Sequence, residues 1–177
     1  DRYDILFWAD EVITGFGRTG KLFGCDTVNI RQPDQMTFAK QLSSAYFPIS
    51  ASVIRGDIYE AMREPSAKVG IFGHGYTYSG HPAGCAAALK TLEIYERDNV
   101  YAHAARMGEY LQGRLAALRD HAHVGEVRGA GLIAAVELVT DKAARTPAVD
   151  MARRATLQCQ DNGLIVRNVA GCALAVC

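Results

Sequence analysis

The sequence predicts an α/β chain: a mostly parallel sheet with helices in its first half, then a smaller α+β unit. Three observations predict it. Short apolar runs ending in charged or small residues recur early, at Ile5–Ala9, Gln35–Ala39 and Ile49–Ile54. Two long stretches of helical period follow Pro82. After Asp120 short strand-like runs alternate with glycines and one further helix.

Ile5–Ala9 is continuously apolar and stops at Asp10-Glu11, the pattern of a strand buried on both faces. Gly15, Gly17 and Gly20 mark a loop. Gln35–Ala39 is a second strand, ending at Lys40, and Ile49–Ile54 a third, opening just after Pro48. Asp57–Arg63 reads as a short helix. Gly70–Gly84 is glycine-rich, and Pro82 sits where a helix should open, because its missing N–H is not needed in the first turn. Ala83–Arg97 is then a helix with Ala86, Leu89, Leu92 and Tyr95 in its apolar pattern. Val100–Arg119 is another, presenting Ala104, Met107, Leu111, Leu115 and Leu118 on one face. Val124–Arg128 and Leu132–Val139 read as strands. Val149–Asp161 reads as a helix stopped by Asn162-Gly163, and Leu164–Arg167 with Ala173–Val176 as a final strand pair. The domain boundary is placed at 98/99, giving units 1–98 and 99–177.

Composition narrows the function. Of the 177 residues, 49% are apolar and 21% charged, enough for a buried core. Basic and acidic residues balance at 19 each with no basic block, so neither nucleic acid nor an anionic membrane is the expected partner. No apolar run approaches the ~18 residues of a membrane span. The five cysteines are irregularly spaced with no C-x-x-C pair, so no metal site is expected, and free thiols point to a reducing compartment, taken as the cytoplasm. The chain opens on Asp1 and stops within a strand-like run, and is expected to be a piece of a longer protein.

Two strand-like runs end in a charged residue, Asp10 and Lys40. Ligands of open α/β sheets sit outside the carboxyl ends of the strands, which would put an acid and an amine on one edge. Spacing alone leaves a surface ion pair as an alternative. Of the five lysines, at 21, 40, 68, 90 and 142, only Lys40 directly follows an apolar run, and Ala39, Ser43, Ser44 and Ala45 around it are small. An amine in a dry pocket suits a Schiff-base nucleophile.

The run Ala9-Asp10-Glu11-Val12-Ile13-Thr14-Gly15-Phe16-Gly17-Arg18-Thr19-Gly20, then Pro33-Asp34, then Ala39-Lys40-Gln41-Leu42 with Tyr46 and Pro48, resembles the class III pyridoxal-phosphate aminotransferases. His74-Gly75-Tyr76-Thr77-Tyr78-Ser79-Gly80-His81-Pro82 and Val127-Arg128-Gly129-Ala130-Gly131-Leu132 match the same family in the same order. The resemblance covers nearly the whole chain. It implies the second half of a fold type I large domain followed by a truncated small C-terminal domain. It implies that Lys40 holds pyridoxal 5'-phosphate covalently and shuttles a proton once released. Asp10 would pair with the pyridine nitrogen, and Val12 would pack on the ring. Thr77 would reach the phosphate from a partner subunit, in a homodimer or dimer of dimers with shared active sites. Arg18 and Arg128 are expected in structural ion pairs, and His74 and His81 carry no assigned role.

Gln41 and Ala45 stand where family members often carry glycine, and the run Lys40–Tyr46 is more similar to the amine–pyruvate branch. Arg167 matches a position where that branch binds the acceptor carboxylate, which a guanidinium grips with two parallel hydrogen bonds. The expected reaction moves an amino group from an amine or ω-amino acid to a 2-oxo acid such as pyruvate. Other chemistry of the same cofactor, or a non-catalytic relative, remains the alternative, and the segment alone is expected to be inactive.

Overall fold

A computed structural model describes residues 3–30, 32–71 and 73–177. Two compact units emerge: one of residues 1–17 and 21–101, the other of Arg18–Gly20 and Ala102–Cys177.

The first unit is built on a three-stranded sheet in the order β1 (Trp8–Asp10), β2 (Gln35–Phe38), β3 (Ala51–Ile54). β1 and β2 are parallel, with Asp10 opposite Thr37. β3 runs antiparallel to β2, so the layer is mixed where the strand runs predicted parallel pairing. The physical reason lies in the connection. A parallel return needs a crossover, usually a helix, and the residues between β2 and β3 form only a 3-10 turn over Lys40–Leu42.

β1 is also shorter and more open than expected. Only Ala9 is buried, at 6% exposure, while Ile5 and Trp8 stand 75% and 60% exposed. β1 pairs with β2 alone, so one edge and much of its surface are uncovered by the described residues.

Asp34 fastens the amino ends of these strands. One carboxylate oxygen accepts the Phe7 N–H at 2.6 Å and the other accepts from the Arg55 guanidinium. The backbone adds Asp34 N–H to Phe7 O at 2.9 Å and Arg55 N–H to Asp34 O at 3.0 Å. Arg55 also grips Asp57, whose carboxyl is thereby held at about 2.

Between β1 and β2 a four-residue helix, α1 (Gly24–Thr27), was not legible in the sequence. α2 (Gly56–Val69) runs six residues past the predicted stop, through Pro65. Ion pairs Glu60–Arg63 and Glu64–Lys68 bracket the place where proline removes a backbone bond. α3 (Pro82–Arg97) opens as predicted, with Pro82 in the first turn and His81 Nδ1 capping the Ala83 N–H at 3.2 Å. Its buried positions are Gly84, Ala88 and Thr91, not the predicted Ala86 and Leu89; Leu89 is 70% exposed. Small residues won that face because Phe47 packs directly on it: a Cβ at Gly84 would lie 2.8 Å from the ring.

The second unit contains most of α4 (Val100–Ala116). β4 (Val124–Ala130), β5 (Ile133–Asp141), β7 (Arg167–Val169) and β8 (Ala173–Val176) form an antiparallel sheet in the order β4-β5-β8-β7. The short β6 (Thr146–Pro147) pairs with β5. α5 (Val149–Asp161) buries Ala152 against Val124, Val127, Val136 and Leu138. The β4–β5 hairpin turns at Gly131, at φ 57°, where a Cβ would lie 2.6 Å from the Thr19 backbone. Leu132 N–H donates to Arg18 O at 3.0 Å. Arg18–Gly20 and the Arg128–Leu132 motif, distant in sequence, are therefore neighbours within this unit. β7 starts at Arg167, where the sequence predicted an end.

Asp34→Ala should lower the unfolding free energy by about 1–3 kcal/mol, because it leaves the Phe7 N–H without its acceptor and takes from Arg55 one of its two carboxylate partners. Urea unfolding checks this; a loss below about 0.5 kcal/mol would mean the Asp34 knot is dispensable.

Candidate functional site

The carboxyl ends of β1 and β2 bring three of the five expected site residues together. Asp10 closes β1 and is exposed. Its Oδ1 accepts the Val12 N–H at 3.1 Å, a local turn that aims the carboxylate. Val12 is half-buried, and its contact with Asp10 is through the backbone. Lys40 lies on the next strand over, two residues past β2, and is exposed. Asp10 and Lys40 do not pair with each other, and among the described residues the Lys40 amine has no hydrogen-bond or ion-pair partner.

Lys40 begins a tight turn. Its φ is 44°, and Ser44 and Ala45 follow at 48° and 62°. Each left-handed residue that is not glycine costs roughly 1–2 kcal/mol, so the turn has to be held. Ser43 N–H donates to Lys40 O and Ser44 N–H to Gln41 O, both at 3.2 Å, and Tyr46 N–H to Ser43 O at 3.0 Å. The buried Ser43 hydroxyl closes the far end on Phe47 O at 2.6 Å.

Glu11, beside Asp10, is a buried neighbour of the site that sequence reasoning missed. It is 2% exposed, and its carboxylate accepts from Thr14 Oγ1, from Gly24 N at 2.8 Å and from Cys25 N at 2.7 Å. Its own N–H donates to Thr37 O at 3.0 Å, continuing the β1–β2 ladder. Burial raises its pKa, but hydrogen bonds from Thr14, Cys25 and Gly24 outweigh burial and hold it below the ordinary value. The same pairing, after burial, pushes the Cys25 thiol up to about 11. Gly24 is required: a Cβ there would lie 2.8 Å from Thr14 Cβ and 3.1 Å from Glu11 Oε2. Above this turn Phe16, Phe23 and Phe38 pack with ring centroids 5.3–5.8 Å apart. The signal in the sequence was a second carboxylate directly after Asp10, followed by glycines spaced for close approach.

Thr77 lies in an exposed turn, closed by Ser79 N–H to Tyr76 O at 2.9 Å and Tyr76 N–H to Ser79 Oγ at 3.1 Å. Its hydroxyl has no partner among the described residues. Beside it Phe47, Ile49, Tyr76, Tyr78, His81 and Gly84 line a cleft of about 400 Å³, to which neither Asp10 nor Lys40 contributes. Arg167 opens β7 of the second unit, exposed and opposite Ala175. Arg128 is ion-paired as expected, with Glu137 at 2.7 Å and Glu126 at 3.0 Å. Arg18 is not: its guanidinium has no ion pair among the described residues, and only its carbonyl is engaged.

These residues fit a cofactor with an aldehyde and a basic ring nitrogen. Lys40 offers an uncommitted amine, and Asp10 keeps Oδ2 free of partners among the described residues. Gln41 Oε1, next to Lys40, is buried with no donor among the described residues.

The family profile described as Aminotransferase class-III matches residues 1–176. A probable gamma-aminobutyrate transaminase 2, mitochondrial, of Oryza sativa subsp. indica is 42% identical over 171 residues, 95% of this chain and 34% of that protein. The diaminobutyrate–2-oxoglutarate transaminase of Halomonas elongata is 45% identical over 170 residues, 94% of this chain and 36% of that protein. Among solved structures, the omega transaminase from Pseudomonas jessenii in complex with PMP superposes with a TM-score of 0.93 at 47% identity, over 99% of this chain and 39% of that one. The chain therefore belongs to the class III aminotransferase family, and it spans about a third of the length of the curated relatives it matches.

Glu11→Gln should destabilise the protein by about 1–3 kcal/mol at neutral pH, because an amide cannot satisfy the donors the carboxylate holds. A depressed pKa contributes stability above the ordinary value of 4.5 that is lost as pH falls through the folded value. The gap between wild type and variant should therefore narrow in acid. Thermal unfolding across that range checks it, and a gap that stays constant would contradict the role of the charge.

Proposed function

We propose that the whole protein is a pyridoxal-phosphate-dependent transaminase, moving an amino group from an amine or ω-amino acid to a 2-oxo acid such as pyruvate. The observation that carries this reading is the exit of Asp10 and Lys40 from the same edge of two paired parallel strands, with the Lys40 amine unpartnered. Family membership and the similarity to a transaminase in complex with PMP support it.

When bound, the cofactor supplies an electron sink for the carbon that carries the amino group. Asp10 would hold a proton on the ring nitrogen through Oδ2, while Val12 N–H keeps its Oδ1 in place. The Val12 side chain would cover one face of the ring. The Lys40 Nζ would anchor the aldehyde and, once free, would serve as general base and acid. Arg167 grips the acceptor's carboxylate with its guanidinium. Thr77 donates its hydroxyl to the phosphate of a partner subunit's site, so the assembly is a homodimer or dimer of dimers with shared sites. Residues 1–98 belong to the cofactor-binding domain and 99–177 to the C-terminal domain. Five free cysteines suit a reducing compartment, and the cytoplasm is the proposed location.

A panel of amine donors with pyruvate and 2-oxoglutarate tests the reading on the whole protein. Alanine should form from pyruvate, and Lys40→Ala should slow it by about a thousandfold. Release of carbon dioxide, a racemised amino acid, or an active Lys40→Ala protein would overturn the proposal. Arg167→Met should raise KM for pyruvate by about 10- to 100-fold, the loss of a charge-assisted pair, with little change for an uncharged amine donor. An equal loss for both substrates would remove Arg167 from carboxylate recognition.

A further inference from the structure

We infer that Tyr95 is a positioning residue for Lys40, clamping the strained turn on which that lysine stands. The inference rests on the reading of Lys40 as the cofactor-anchoring amine.

Tyr95 sits near the end of α3 on the stripe Gly84, Ala88, Thr91, Tyr95, one helical face in steps of four and three. That stripe meets the 40–47 turn at both ends: Gly84 against the Phe47 ring, and Tyr95 against Gln41 and Ser44. The Tyr95 hydroxyl donates to Gln41 O at 3.0 Å. A phenol has one proton, and a carbonyl can only accept, so that proton is committed. Ser44 Oγ, 2.5 Å away, must then donate to Tyr95 Oη. Gln41 O also accepts the Ser44 N–H at 3.2 Å, so one carbonyl gathers the turn's own bond and the helix's.

The clamp acts where the backbone is least favourable. Lys40, Ser44 and Ala45 all hold left-handed φ without being glycine. A chain released there relaxes toward negative φ, and at Lys40 that redirects the Cα–Cβ bond and the amine it carries. Tyr95 touches neither cofactor nor substrate in this scheme. It keeps Lys40 aimed from a helix whose other end is fixed by the His81 cap and the Phe47 contact.

The test uses the whole holoenzyme. Tyr95→Phe keeps the ring and removes only the hydroxyl. It should lower kcat about five- to tenfold with KM for the amine donor within about twofold, the scale of one lost hydrogen bond. Amide exchange at residues 44–46 should accelerate by a similar factor relative to the β2 amides. Ala45→Gly removes part of the strain, so Tyr95→Phe/Ala45→Gly should recover at least about half of the lost kcat. Unchanged kcat, a kcat loss without faster exchange in the turn, or no recovery in the double variant would overturn the clamp alone. An active Lys40→Ala protein, assayed beside them, would overturn the clamp together with the reading it rests on.

Discussion

The parallel register that sets Asp10 opposite Thr37 is the constraint on which the candidate site depends. It makes the carboxylate and the amine leave the sheet at the same end. A slip of one residue would turn Asp10 or Lys40 to the other face, because side chains alternate along a strand. The register is short, three residue pairs, so it is held from outside the ladder. Asp34 ties the amino ends of β1 and β2 to Arg55, and Glu11 ties the carboxyl end of β1 to Thr37 and α1. Each carboxylate is buried and satisfied by several donors, which is how a buried charge is retained without a large penalty.

The two catalytic candidates are held differently. Asp10 stands on a strand end and is aimed by a single bond from Val12. Lys40 stands on a turn that its own sequence disfavours, kept in shape by Ser43, Ser44 and Tyr95. Strain stored beside a reactive group persists only when its surroundings over-determine it. Here the surroundings are α3 and the Phe47 contact.

Much of this was legible in the sequence. The helices over 82–97, 100–116 and 149–161 followed from period, Pro82 and Asn162-Gly163. The end of β1 at Asp10, and of β2 shortly before Lys40, followed from apolar runs stopped by charge. Other features were not legible, for physical reasons. The buried face of α3 was misread because small residues, not large ones, line it where another segment approaches closely. β1 was read as buried on both faces because an apolar run cannot say how many neighbours its strand has. Glu11 and Asp34 carried no role in the sequence, since most of the donors that satisfy them lie far along the chain. Tyr95 read as part of an apolar stripe, and only its hydroxyl's partners show otherwise.

The most direct test of the central claim is chemical mapping of the lysine that takes the cofactor. The whole protein is incubated with pyridoxal phosphate, reduced with borohydride, digested, and its labelled peptides weighed. The account predicts the label on Lys40, with the lysines at 21, 68, 90 and 142 unmodified beyond background. A stoichiometric label on any other lysine, or none at all under conditions that support turnover, would contradict it.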